Sequence, residues 1–192
     1  MIQTFGDFIE DSSSTPEFLL IGFSPSSIPL KQRWRNNGLS ASFIADYLIT
    51  FFPVDENEPD AVHQRNKVTG AVRYIANELL ENAMKFNDDS SPQQVSIKLE
   101  LMSDRVLFRA SNAVNPQTIP KFQAFIQELT TADAGDLIVR QVEKNTTEGW
   151  DSSGLGLLTI VSDYQAILGW RFETLSVDPP VITVTTTVQL PL

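Results

Sequence analysis

The sequence has no cysteine and a single histidine, His63. The first absence excludes a disulfide scaffold and any thiolate ligand or nucleophile, and the second argues against a His-ligated metal site. Positive charge is scarce too: 14 Lys and Arg stand against 24 Asp and Glu, a formal net charge of −10. A chain that coats nucleic acid needs clustered cations, so nucleic acid is not an expected partner. No stretch approaches the ~20 apolar residues that a membrane helix needs. The opening MIQTFGDFIEDSSS lacks a basic head followed by an apolar run, so no secretory signal is expected. Asn145-Thr146-Thr147 matches the glycosylation pattern, which without such a signal reads as chance. The expectation is a cytoplasmic protein with no membrane partner.

What is present fits one globular domain: 192 residues, 42% apolar and 20% charged. Residues 1–16 read as polar, with a loop at Ser12–Pro16, before a short apolar run at Phe18–Phe23 that suits a buried strand. Pro25 and Pro29 then break regular structure. Leu39 to Phe52 has helical spacing, with Ser40 and Ser42 as N-cap candidates and Pro53 as the stop. From Ala61 to Phe86 a continuous stripe of Val68, Val72, Ile75, Leu79, Ala83 and Phe86 predicts a long amphipathic helix. Strict alternation over Val95–Leu101, a turn at Ser103-Asp104 and a returning run at Val106–Ala110 predict an antiparallel hairpin. Helical stretches follow around Phe122–Leu129 and Leu137–Val142, separated at Asp133–Asp136. A polar loop covers Asn145–Gly154, and a helix over Leu155–Leu168 ends at Gly169. Strands are expected at Trp170–Leu175 and Val181–Gln189. In the last, Ile182, Val184, Thr186 and Val188 face one way, with Thr183, Thr185, Thr187 and Gln189 opposite. Segregated helices and antiparallel hairpins predict an α+β two-layer sandwich with helices on one face of the sheet, not a doubly wound fold.

Two motifs carry chemistry. Glu78, Asn82 and Lys85 are spaced four and three apart, which places them on one helix face beside the apolar stripe. Asn82 is a candidate Mg²⁺ ligand, Lys85 a phosphate contact and Glu78 a group that orients a water or hydroxyl; Mg²⁺ needs few side-chain oxygens when it borrows phosphate ones. The plainer reading is a solvated helix face with a Glu81–Lys85 pair. The second motif is Asp151–Leu158, where Gly154 and Gly156 stand at the entry to a helix, as a phosphate-approaching backbone requires.

Together these residues resemble the GHKL (Bergerat-fold, histidine kinase-like) ATPase superfamily. NELLENAMKF looks like its N-box, and SSGLGLLTI like its second glycine box with a serine for the first glycine. The resemblance spans roughly Leu39 to Leu190 and is closest to anti-sigma-factor serine kinases and SiaB-like switch kinases. It implies a single histidine kinase-like ATPase domain over 1–192, with 1–38 an N-terminal extension carrying a strand and 39–192 the core. It also implies ATP or ADP with Mg²⁺ as cofactors. Asn82 is then the Mg²⁺ ligand, Glu78 the general base, Lys85 a phosphate-side cation, and Gly154 and Gly156 the phosphate cradle. The sequence departs from the family at Arg109–Pro116, where an Asp-x-Gly-x-Gly box would hold adenine. There Asn112, or Ser111, offers only a neutral acceptor, which makes a weaker hydrogen bond than a carboxylate. The implied function is that of a bacterial partner-switching kinase that phosphorylates Ser or Thr on a STAS-domain antagonist. Further implied partners are a sigma factor, a response regulator or a second copy in a homodimer. The alternative, prompted by the missing box, is a binding module of the same fold without ATP turnover.

Other features weigh less. His63 as a phospho-acceptor lacks the surrounding dimerisation hairpin of a sensor kinase. Lys31–Gly38 gathers basic residues around Trp34, a patch better suited to an acidic partner or a folded loop than to nucleic acid. Phe122, Phe125 and Leu129 read as core or lid packing.

Overall fold

A computed structural model describes residues 1–11, 17–24, 34–132, 135–140 and 154–192, the side chains of residues 34–36 excepted. The Ser12–Pro16 loop, the breaks at Pro25 and Pro29, most of the basic patch, the Asp133-Ala134 part of the break, Asn145 and the start of the glycine motif at 151–153 lie outside the described residues.

The chain is an α+β two-layer sandwich. Its strands are β1 (Ile2–Gly6), β2 (Phe18–Phe23), β3 (Val95–Leu101), β4 (Arg105–Val114), β5 (Ile167–Val177) and β6 (Pro180–Pro191). They form one sheet in the order β1-β5-β6-β4-β3-β2, and every neighbouring pair is antiparallel. The helices are α1 (Trp34–Ile49), α2 (Pro59–Lys85), α3 (Ile119–Thr131) and α4 (Leu155–Tyr164); residues 135–140 are helical as well.

The period-2 alternation of the strands sorts the two faces. One face carries Ile97, Leu99, Val106, Phe108, Ala110, Trp170, Phe172, Val184 and Val188, all in the buried core. α2 lies on this face over β3 and β4, and α1 packs along α2. α2 presents Val72, Ile75, Ala76, Leu79, Leu80 and Ala83 inward, a stripe wide enough to meet both neighbours. It begins with Pro59 at its first turn, where a missing N–H costs nothing, and carries Lys85 in its last, where the dipole favours a cation. α3 closes the far end, with Phe122 edge-on to Phe172 at 5.8 Å and Phe172 edge-on to Phe5 at 5.7 Å.

The opposite face of the sheet bears a strap. β1 and β2 are the two edges, and the residues that leave β1 turn back over the sheet. Asp7 N–H donates to the Leu168 carbonyl and Gln189 Nε2 to the Asp7 carbonyl, at 3.0 and 2.9 Å. Arg109 donates to the carbonyls of Ile9 and Glu10. Arg171 pairs with Glu10 at 2.7 Å, and Lys98 with Asp11 at 2.8 Å. Gly169 permits the crossing: a Cβ there would stand 2.4 Å from the Phe8 backbone nitrogen. The Lys98 hydrogen bond, with Coulombic help from Lys98 and Arg109, holds the Asp11 carboxyl below the usual carboxylate range. That contact is therefore intact at neutral pH and is lost as pH falls through the lowered value.

Several expected boundaries move. Residues 1–16 read as polar, yet Ile2–Gly6 is an edge strand. α1 begins at Trp34, so Ser40 and Ser42 lie inside it and do not cap it, and Leu39 and Phe43 of its apolar spacing stay 72% and 55% exposed. β4 runs on to Val114, so Ser111 and Asn112 are ladder residues opposite Thr185 and Val184. α4 stops at Tyr164 because Gln165 takes a left-handed conformation (φ 52°), and Leu168 and Gly169 belong to β5.

Candidate functional site

Glu78 and Asn82 sit one turn apart on α2, half-buried beside its apolar stripe, with Lys85 at the end of the helix, also half-buried. Glu78 is turned toward the first turn of α4. A Cβ built on Gly156 would stand 1.8 Å from Glu78 Oε2 and 2.7 Å from its Cδ. The two motifs picked out in the sequence therefore touch: the carboxyl of one fills the space left by the glycine of the other. Burial raises the Glu78 carboxyl above the usual range, and the negative charge of Glu81 adds to this. Glu81 accepts from Asn77 Nδ2 at 2.9 Å, and Lys85 Nζ lies 5.5 Å from the Phe86 ring centre.

A second contact, one turn away, fixes this approach. Tyr74 precedes Glu78 by one turn, its ring centre is 5.5 Å from that of Tyr164, and it hydrogen-bonds Thr159. The partners descend α4 as they ascend α2, so the helices run antiparallel where they meet. Burial, first, and the nearby Glu78 charge raise the Tyr74 hydroxyl above its ordinary value. Tyr74, Thr159 and Tyr164 were not among the residues expected from sequence. Their only signal is helical spacing from Glu78 and Gly156, a weak one without knowing that the two helices touch.

Gly154 occupies the N-cap of α4 with no side-chain cap, and its carbonyl accepts from Leu158 N–H at 3.4 Å. Asn112 lies on the helix-facing side of β4, 5% exposed, and its Nδ2 donates to the Ala113 carbonyl at 2.8 Å. That carbonyl also accepts from Asp88 N–H at 3.0 Å, which anchors the end of α2 beside the end of β4. Among the described residues no hydrogen bond links Asn112 or the Asn82 side chain to Glu78. No group of three or more His, Cys, Asp and Glu that could hold a metal occurs among the described residues. Asn82 would offer a single amide oxygen, which suits Mg²⁺ only where phosphate oxygens complete its shell. His63 is exposed on α2, and Phe122, Phe125 and Leu129 pack on the core as expected. No described helix is long and apolar enough to cross a membrane.

The clash at Gly156 involves only the mobile end of a side chain, which makes a specific expectation. Gly156→Ala should change unfolding free energy by less than about 1 kcal/mol, since Ala is the better helix residue and the carboxyl can swing aside. Glu78→Ala in the same chain should then make Gly156→Ala stabilising. Urea unfolding of the single and double variants checks this. A loss above about 2 kcal/mol that persists without Glu78 would show that the backbone, not the carboxyl, needs the glycine.

No protein-family model matches the sequence, and no curated protein matches it. Among solved structures, the chain is similar in fold to one chain of "The crystal structure of SiaB-SiaC complex from Pseudomonas aeruginosa". The likeness has a TM-score of 0.56 at 14% sequence identity and covers 91% of this chain and 89% of that one.

Proposed function

We propose that the chain is a regulatory protein of a partner-switching system, and that it is a GHKL-type kinase which uses Mg–ATP to phosphorylate a Ser or Thr hydroxyl on a STAS-domain partner. The observation that carries this reading is the meeting of Glu78 with Gly156, which joins the N-box-like and glycine-box-like motifs into one place. The fold likeness to a chain from a two-protein complex supports the regulatory part.

In this reading Asn82 supplies the protein oxygen to Mg²⁺, and Lys85, Gly154 and Gly156 face the phosphates. Bound Mg²⁺ neutralises charge on the phosphate oxygens. Glu78 accepts the proton of the attacking hydroxyl, and its raised carboxyl suits that task better than an ordinary glutamate does. Because Glu78 fills the space over Gly156, it must swing aside before a phosphate reaches that backbone.

Isothermal titration with Mg–ATP tests the nucleotide step. Micromolar binding is expected, with Asn82→Ala weakening it at least about tenfold through loss of the metal ligand, about 1.4 kcal/mol or more. No heat at millimolar nucleotide, with or without a partner, would remove the kinase reading. One observation favours the second reading, a binding module without turnover: β4 continues as regular ladder through Ser111–Val114, the stretch that lacks the Asp-x-Gly-x-Gly box of the resembled family. Co-purification of a partner from a chain that binds no nucleotide is its signature.

A further inference from the structure

We infer that the strap-bearing face of the sheet is a docking surface for an extended acidic segment of a partner protein, and that residues 7–11 are the resident occupant such a segment displaces. The inference stands apart from nucleotide binding. The occupant's own contacts define what the face recognises. Arg109 donates through Nη1 to the Ile9 carbonyl and through Nη2 to the Glu10 carbonyl, the latter at 2.7 Å. Both contacts need only an extended backbone. Sequence enters through carboxylates, with Glu10 on Arg171 at 2.7 Å and Asp11 on Lys98 at 2.8 Å.

The socket is built into the sheet, while the acidic side chains of the occupant are held lightly. Arg109 is 6% exposed and is fixed through Nε at 2.7 Å by Glu100, which is fully buried. Lifting the strap leaves that guanidinium aimed outward from a rigid ladder. The side chains of Glu10 and Asp11 are 67% and 62% exposed, and pairs so open to water hold weakly. A cavity of about 370 Å³ runs beside the strap, with Ser96, Ser111 and Thr185 on its floor. At its rim Phe18 and Leu20 of β2 remain more than half exposed, giving an incoming chain apolar surface that the strap leaves free. Without the strap, the carboxylates that Lys98, Arg109 and Arg171 meet among the described residues are Glu100 and Glu173, so this face favours an acidic segment although the chain carries −10 overall.

The test uses the full chain. E10K/D11K removes the two strap carboxylates that pair with cations of the sheet and leaves the sheet's own residues unaltered, and a fluorescein-labelled peptide spanning Gly6 to Asp11 reports docking by anisotropy. The peptide is expected to bind the variant about tenfold tighter than the natural chain, because its competitor is gone. Adding K98A, or raising salt, should weaken that binding several-fold, and amide exchange at residues 8–11 should rise in the variant. Equal affinity for both chains, equal binding of a peptide with Lys at the acidic positions, or unchanged exchange at 8–11 each overturns the inference. So does a concentration-dependent dimer of E10K/D11K that excludes the peptide, which assigns the face to a second copy.

Discussion

Glu100→Ala is expected to cost about 3–5 kcal/mol of unfolding free energy, read from urea denaturation with an unchanged slope. Glu100 is fully buried, Arg109 Nε donates to it at 2.7 Å, and Lys98 Nζ lies 3.1 Å away. Truncation leaves a nearly buried guanidinium without its counter-charge, and that uncompensated desolvation is the source of the loss. Replacing both partners, with Glu100→Met and Arg109→Met, should recover most of it, because two charges then no longer have to be held out of water. The double variant should still differ in one respect. Ile9 and Glu10 lose the donors to their carbonyls, so exchange should rise along the strap while the sheet stays protected. A loss below about 1 kcal/mol for Glu100→Ala would mean that solvent reaches the pair and that it behaves as a surface contact.

The second large effect lies in the core. Trp170 is fully buried at the centre of β5, on the face that α2 and α3 cover, between Thr186 and Phe5 in the ladder. Trp170→Ala should cost about 3–5 kcal/mol through lost burial and the cavity left behind. Trp170→Phe should cost far less, at most about 1.5 kcal/mol. The indole Nε1–H has no acceptor among the described residues. Phenylalanine gives up ring area but also removes a donor whose burial is itself unfavourable by about 1–3 kcal/mol. The two variants therefore separate packing from polarity. If phenylalanine proved as costly as alanine in thermal and urea unfolding, the indole would have to possess a partner.

Most of the architecture was legible because the chemistry that fixes it is local. The α2 stripe was readable since 3.6-residue spacing is printed in the chain, and Val72, Ile75, Leu79 and Ala83 are buried as the spacing requires, whereas Phe86, its expected last member, lies past the helix end and is 49% exposed. The β3–β4 hairpin was readable because Val95, Ile97 and Leu99 alternate with Ser96, Lys98 and Glu100. The misses share a physical cause, tertiary context that overrides local appearance. β1 is an edge strand of five residues, so half of its surface faces water and little apolar pattern is needed. Ser111 and Asn112 look like loop residues but continue a ladder fixed by β6. Gln165 ends α4 through a left-handed backbone that nothing in its side chain announces. At the candidate site, Glu78 was picked out by its spacing along α2 and Gly156 by its place at a helix entry, whereas their contact was not legible, because it depends on how two helices separated by more than sixty residues of chain cross. Tyr74 was hidden for the same reason.

The sheet order also dictates when the molecule is able to complete itself. β1 pairs only with β5, Ile2 opposite Glu173 and Gly6 opposite Gly169. During vectorial synthesis β1 is made long before β5 and stays unpaired until that distant strand has left the ribosome. Contacts of such sequence separation form late, since loop closure must come before their reward. β2, β3 and β4 pair with one another well before that, so the nascent chain passes through a state with a partly built sheet and an idle strand. The strap, drawn along behind β1, is then the last piece laid down, and the cationic face beneath it stands open for the whole of that interval.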